Sequence, residues 1–177
     1  MAMDRGRGRD RDRRSGPKEQ RDSDGLEDKV VQIYRCSKVV KGGRKFSFAA
    51  LVVAGDLHGR VGIGYGKANE VPLAVEKGVA EAKKNMVTVN LKGSTIPHQV
   101  IGRAGASSVV MVPASDGTGV IAGKKLRPML ELAGIQNLLT KAYGSTSPKN
   151  LLKAAMDALK KLRTAEMVSS LRGVDIA

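Results

Sequence analysis

The chain has 177 residues, enough for one ordinary domain or two small ones and too few for an eight-fold β/α barrel. Hydrophobic residues make up 41%, so the chain is not wholly disordered, but aromatics are only 3% and Trp is absent, which leaves the core to Val, Leu, Ile and Ala and few rings for stacking bases. Lys and Arg number 31 against 17 Asp and Glu, a net charge of +14, which predicts a polyanionic partner, nucleic acid or an anionic membrane.

Residues 1–25 alternate Arg with Gly and Asp and carry almost nothing apolar. Such a segment buries too little to offset its ordering entropy and is expected to be a disordered arm. It holds eight basic and six acidic residues, so the charge excess resides in the body that follows. From Val30, VVQIYRCSKVV is β-branched and suits a strand. A Gly-Gly turn at Lys41–Arg44 leads to a nearly all-apolar strand over 46–56. Asp56–Gly59 turns the chain into a third strand, Arg60–Gly66, with glycine at every second position. Its bare face can admit another backbone or an RNA sugar. Asn69 is a candidate N-cap for a helix over 70–86, with Pro72 in its first turn and Val71, Ala74, Val75, Val79, Ala82 and Met86 on one face. This β-β-β-α unit, residues 26–91, is expected to be a three-stranded sheet with one helix on one face and its other face free.

Residues 92–164 predict a second, α/β unit. Strand patterns cover 95–105 and 107–115, and Asp116–Gly119 is a loop. A helix is expected over 120–134, ending at Gly134 as its C′ residue, then a strand over 135–144. Ser147-Pro148 opens a last helix whose face carries Leu151, Leu152, Ala155, Leu159 and Leu162. Residues 165–177 are expected to form a tail.

One cysteine, Cys36, excludes an internal disulfide and any zinc site needing two cysteines of this chain. Its apolar surroundings suggest a buried, inert thiol. His58 and His98 have no ligand cluster around them, so no metal and no cofactor are expected. No apolar run approaches the roughly 18 residues of a membrane helix, and the first residues are not a secretory signal. The expectation is a reduced, cytoplasmic protein.

Enzyme motifs fare poorly. Gly62-Ile63-Gly64-Tyr65-Gly66-Lys67 lacks the spacing of a phosphate loop, and Ala68 stands where Ser or Thr is needed. Gly117-Thr118-Gly119-Val120-Ile121-Ala122 fits a dinucleotide loop better, but no acid sits near the end of a following strand to hold a ribose. If a helix opens there, its free N–H groups with Lys124, Lys125 and Arg127 form an anion site that an RNA phosphate would satisfy. Lys38, Lys41, Arg44 and Lys45 around the Gly-Gly turn, with Arg60 and Lys67, combine cations with glycines that let backbone approach phosphate. Neutralising about 10 phosphates would give a salt slope of roughly −9 on duplex-like RNA. Two readings stay open: a small-molecule phosphotransferase using Gly117–Ala122, and a free-standing regulatory RNA binder.

Lys41-Gly42-Gly43-Arg44-Lys45-Phe46-Ser47-Phe48, Val53–Asp56, Gly59–Ala68, Pro113–Gly123 and Lys141–Pro148 closely resemble the signature of bacterial small-ribosomal-subunit protein five. The resemblance runs in order from about Leu26 to Gly173. It implies an α+β chain: a double-stranded-RNA-binding-like first domain, then a βαβ domain with a left-handed crossover. It also implies a structural ribosomal RNA-binding protein of the small subunit, in the cytoplasm and not an enzyme. The implied neighbours are proteins four and eight, with messenger RNA entering nearby, and the implied roles are assembly, decoding accuracy and head movement. The RNA-binding set becomes Lys38, Lys41, Gly42, Gly43, Arg44, Lys45, Arg60, Lys67, Lys124, Lys125 and Arg127. The family's spectinomycin-associated loop corresponds to Cys36, Ser37, Lys38, Lys41, Gly42 and Gly43. Its contact loop towards protein four corresponds to Gly102, Arg103, Ala104, Gly105, Ala106, Ser107 and Ser108, where many members carry a basic residue in place of Ser108.

Overall fold

The computed structural model describes residues 25–174; the arm before Gly25 lies outside them. The two β-rich runs form long strands, β1 (Glu27–Val40) and β2 (Gly43–Gly55), paired antiparallel. The turn between them needs positive φ at Gly42 (92°) and Gly43 (139°), which glycine alone adopts without strain. β3 (Arg60–Ala68) pairs with β2, and α1 (Val71–Lys84) follows. After α1, β4 (Val87–Thr88) pairs with the start of β3. The sheet therefore has four strands, β1-β2-β3-β4, rather than three. Two residues are too few to leave a periodic signature. The helix begins one residue later than Asn69 suggests: Glu70 occupies the N-cap and its side chain makes no capping bond.

The bare face of β3 receives α1. A Cβ at Gly62, Gly64 or Gly66 would lie 2.2, 1.9 or 2.0 Å from the carbonyl oxygen of Ala82, Gly78 or Ala74. Those three helix residues are four apart, and all are buried. The alternating glycines thus admit a helix backbone, not an RNA sugar.

The opposite face of this sheet is covered too, contrary to the expectation of a free face. Ala50 and Val52 point towards α1 with Ala74, while Leu51, Val53 and Val61 enter a larger core that contains Leu126, Met129, Leu130 and Leu138. β2 is buried from Ala49 to Gly55 because its side chains alternate between two covered faces.

The second sheet runs β5 (Val100–Ala104), β6 (Ser107–Pro113), β8 (Leu138–Gly144) and β7 (Val120–Ile121), antiparallel except for the β7–β8 pair. α2 (Arg127–Leu132) joins the two parallel strands, so β7-α2-β8 is the βαβ unit. The long helix expected over 120–134 is thereby corrected. Val120 and Ile121 are β-branched and pair with Leu138 and Leu139; the helix starts only where Pro128 presets its first turn. α3 (Pro148–Lys160) packs on β5 and β6, and Gly102 lets the α3 backbone approach, since a Cβ there would lie 2.0 Å from the Ala154 oxygen. The segment read as a tail carries α4 (Ala165–Arg172), capped by the Thr164 hydroxyl accepting from the Met167 N–H.

Backbone hydrogen bonds tie the two sheets together at the Asp56–Gly59 turn. α2 ends in a Schellman arrangement, with Gly134 at φ 86° and the Ile135 N–H donating to the Leu130 oxygen. The remaining carbonyls of its last turn accept from the other unit: Leu57 N–H to Leu132 O at 3.0 Å, and Gly59 N–H to Ala133 O at 3.1 Å. Asp56 shapes the donating turn by accepting from the His58 and Arg60 N–H groups. Leu57 is held there at φ 61°, a costly conformation for a side-chain-bearing residue.

Two outcomes are expected. Gly64→Ala should destabilise the chain by at least about 2 kcal/mol, because a methyl cannot share space with a backbone carbonyl. A thermal melt should then shift down by about 5 °C or more; an unchanged midpoint would contradict the close approach. Asp157 on α3 accepts from the Lys161 ammonium and from the Arg103 N–H of β5. Those bonds, Lys161 first, hold its carboxyl below its ordinary value near 3.8. Its stabilisation is present above that value and is lost as pH falls through the lowered one. Urea midpoints should therefore drop below about pH 4 more steeply in the natural chain than in Asp157→Asn.

Candidate nucleic-acid interface

Three of the cations singled out in the sequence converge on the outer end of the first sheet. Lys38 and Lys45 are cross-strand partners on β1 and β2, and Lys67 lies near the end of β3. With Lys77 of α1 they line a groove of about 530 Å3, whose walls also include the exposed rings and chains of Phe46 and Leu73. Like charges placed directly opposite destabilise a strand pair unless something neutralises them. Four ammonium groups beside the exposed Phe46 and Leu73 make a cationic surface that also offers apolar contact. Among the described residues Phe46 is the one aromatic lining the groove, and the Arg35 guanidinium lies 4.8 Å from its ring centre.

The hairpin tip extends beyond this groove. Lys41, Gly42, Gly43 and Arg44 are all exposed, so the tip presents two cations on a glycine turn. Cys36 and Ser37 sit lower on β1, where Cys36 is half-buried rather than fully buried. Lys77 and Phe46 escaped the sequence reading. The signal for Lys77 was present: it stands four residues after Leu73, on the exposed flank of the helix beside the Ala74, Gly78 and Ala82 stripe.

The remaining predicted cations lie elsewhere. Arg60 is at the opposite end of β3, beside β4 and the Asp56 turn. Lys124, Lys125 and Arg127 border a second groove of about 690 Å3 with Lys29, which is bridged to Glu131 at 3.4 Å. The Lys125 ammonium donates to the Thr146 oxygen at 2.8 Å, at the surface of the fold.

The anion site expected at Gly117–Ala122 is not formed. No helix opens at that loop, and α2 begins later, at Arg127. The loop is held by protein groups instead: buried Asn137 accepts from the Gly119 N–H at 2.9 Å and donates to Ser94 and Asp116, and Ser94 donates to Asp116. The support for a phosphotransferase goes with it. In the loop implied to face protein four, Gly102 and Ser107 are buried, and the Ser107 hydroxyl donates to the Ser145 oxygen. Arg103, Gly105 and Ala106 are exposed. Among the described residues no three His, Cys, Asp or Glu side chains gather where they could hold a metal ion, and no helix is long and apolar enough to cross a membrane.

Lys45→Glu tests the groove. It replaces a repulsive cross-strand pair with an attractive one, so the isolated chain should gain about 0.5 kcal/mol. Binding to a structured RNA should weaken, with the salt slope reduced by about 1. Filter binding across a salt series reads both, and an unchanged slope would remove Lys45 from the interface.

Residues 26–90 match the family model "Ribosomal protein S5, N-terminal domain", and residues 102–172 match "Ribosomal protein S5, C-terminal domain". Among similar curated proteins, the "Small ribosomal subunit protein uS5" of Syntrophobacter fumaroxidans is 57% identical over 151 residues, 85% of this chain and 91% of the relative. That of Rhodopirellula baltica is 54% identical over 151 residues, 85% of each chain. That of a Psychrobacter species is 53% identical over 154 residues, 87% of this chain and 93% of the relative. The family consists of structural ribosomal proteins and not of enzymes. Two consecutive family domains and relatives above half identity, each spanning most of both chains, establish that this chain belongs to the ribosomal protein S5 family.

Proposed function

We propose that this chain is a structural constituent of the small ribosomal subunit in the cytoplasm, binding ribosomal RNA and neighbouring ribosomal proteins without catalysis. The observation that carries the reading is the cationic end of the first sheet, where Lys38, Lys45, Lys67 and Lys77 surround one groove below a lysine- and arginine-bearing glycine turn. Such a surface grips phosphate and reads shape, as structured RNA requires.

The finer assignments rest on the family. The hairpin from Cys36 to Gly43 is the spectinomycin-associated element and supports decoding accuracy. The chain supports assembly and stands on the side where messenger RNA enters. The exposed members of the β5–β6 hairpin, Arg103, Gly105 and Ala106, face protein four, and protein eight is the other neighbour. Since Ser108 replaces a cation that many members carry, the contact to protein four has no ion pair at that position.

A sucrose gradient of lysate at low and then high salt tests the reading. Persistent migration with the small subunit is expected; migration at the top under both conditions would overturn it. A residue-level test is Gly43→Asp. Its φ of 139° strains any L side chain, and a carboxylate beside phosphate repels it. The substituted chain should fold with a melting midpoint within a few degrees of the natural one. Subunit assembly or the spectinomycin response should change; wild-type behaviour in both would remove the hairpin from this role.

A further inference from the structure

A crevice of about 680 Å3 separates the β3–α1 edge of the first unit from α3 of the second. Its floor is apolar, built from residues such as Ile63, Met86 and Met156, and Tyr65 forms one wall. The other wall is α3, which presents Lys149, Lys153 and Lys160. Lys149 and Lys153 are one turn apart, about 6 Å along the helix. The two carboxylates in the crevice are already engaged: Glu81 accepts from the Tyr65 N–H at 2.8 Å, and Asp157 from Lys161 and Arg103. The lining therefore carries three ammonium groups against two carboxylates, and Lys161 beside it offsets Asp157, so cations remain in excess.

Lys149 is oddly placed for stability alone. It lies in the first turn of α3, where the helix dipole disfavours a cation, and no acidic residue offsets it there. Its ammonium rests over the Tyr65 ring, 4.1 Å from the centre, and Tyr34 packs against Tyr65 with centroids 6.5 Å apart. An exposed ammonium–ring contact is weaker than a base stacked on the same ring.

We propose that this crevice holds one unstacked nucleotide of single-stranded RNA, its base on Tyr65 and its phosphates on Lys149 and Lys153. In the free chain Lys149 covers the ring. When a base arrives, Lys149 leaves the ring for the phosphate, which also relieves its conflict with the helix dipole. The inference rests on the chain being an RNA-binding protein, and it names a second contact surface adjoining the hairpin groove, two residues away along β3 and one turn away along α1.

The test is fluorescence anisotropy of end-labelled oligouridylate, five nucleotides long, titrated with the full chain at several salt concentrations. Tyr65→Leu should weaken binding about tenfold or more, and Tyr65→Phe should leave it unchanged. Lys149→Gln combined with Lys153→Gln should reduce the salt slope by about 1.4. If Tyr65→Leu does not fold, that double-lysine variant decides alone. Wild-type affinity in Tyr65→Leu, or an unchanged slope in the lysine variant, overturns the proposal. Displacement of the RNA by hexaglutamate as effectively as by unlabelled oligouridylate also overturns it, since that shows attraction to any polyanion. Failure of the ribosomal reading appears separately, in the sucrose gradient.

Discussion

The burial of β2 on both faces is the constraint from which the architecture follows. The run Ala49–Gly55 contains no polar side chain, so neither face of the strand can meet water at an acceptable cost. Each large side chain removed from water contributes about 1.5–3 kcal/mol. α1 closes one side and the second unit closes the other, which makes a single core out of two sheets. Bare backbone makes such close layering possible. Gly62, Gly64 and Gly66 seat α1, Gly102 seats α3, and Gly55 clears the Leu132 carbonyl that the neighbouring turn engages. Closeness in this molecule depends more on missing side chains than on large interlocking ones, in keeping with a chain that has few aromatics.

Charge is kept at the margins of that core. The four lysines of the hairpin groove arise from strands and a helix whose inner faces are fixed by apolar burial, so their outward direction is a by-product of packing. Repulsion among them costs stability in the free chain and is relieved by bound phosphate. A rigid support with unneutralised charge at its rim suits a protein whose work is to stay in place on folded RNA. Three of the aspartates serve the fold itself: Asp56 shapes a turn, Asp116 closes the Asn137 network, and Asp157 ties β5 to α3.

The sequence made the first three strands and α1 legible because their periods are strong and their turns carry glycine. It also carried the long motifs that point to the family. It did not disclose β4, which is too short to have a period. It misdirected at 120–134, where β-branched Val120 and Ile121 followed by Pro128 signal a strand and then a late helix start, while the overall apolar content reads as helix. The unbroken apolar run of β2 was a sign of double burial, yet treating the first unit alone left one face open. The cations near the hairpin were legible as a linear cluster. Lys77 joins them only through the packing of α1, and Lys124, Lys125 and Arg127 leave them because β7 and α2 take a different path.

The docking of the Asp56–Gly59 turn on the last carbonyls of α2 has a consequence during synthesis. The first sheet is complete once Thr88 has emerged, but α2, the first helix to pack against its Leu51, Val53 and Val61 face, ends only at Leu132. At about 5–20 residues per second, some forty further residues keep that apolar face uncovered for about 2–9 s. During this interval the nascent first unit is a half-built sandwich, vulnerable to wrong partners. Its net positive charge then discourages contact between copies of itself on neighbouring nascent chains.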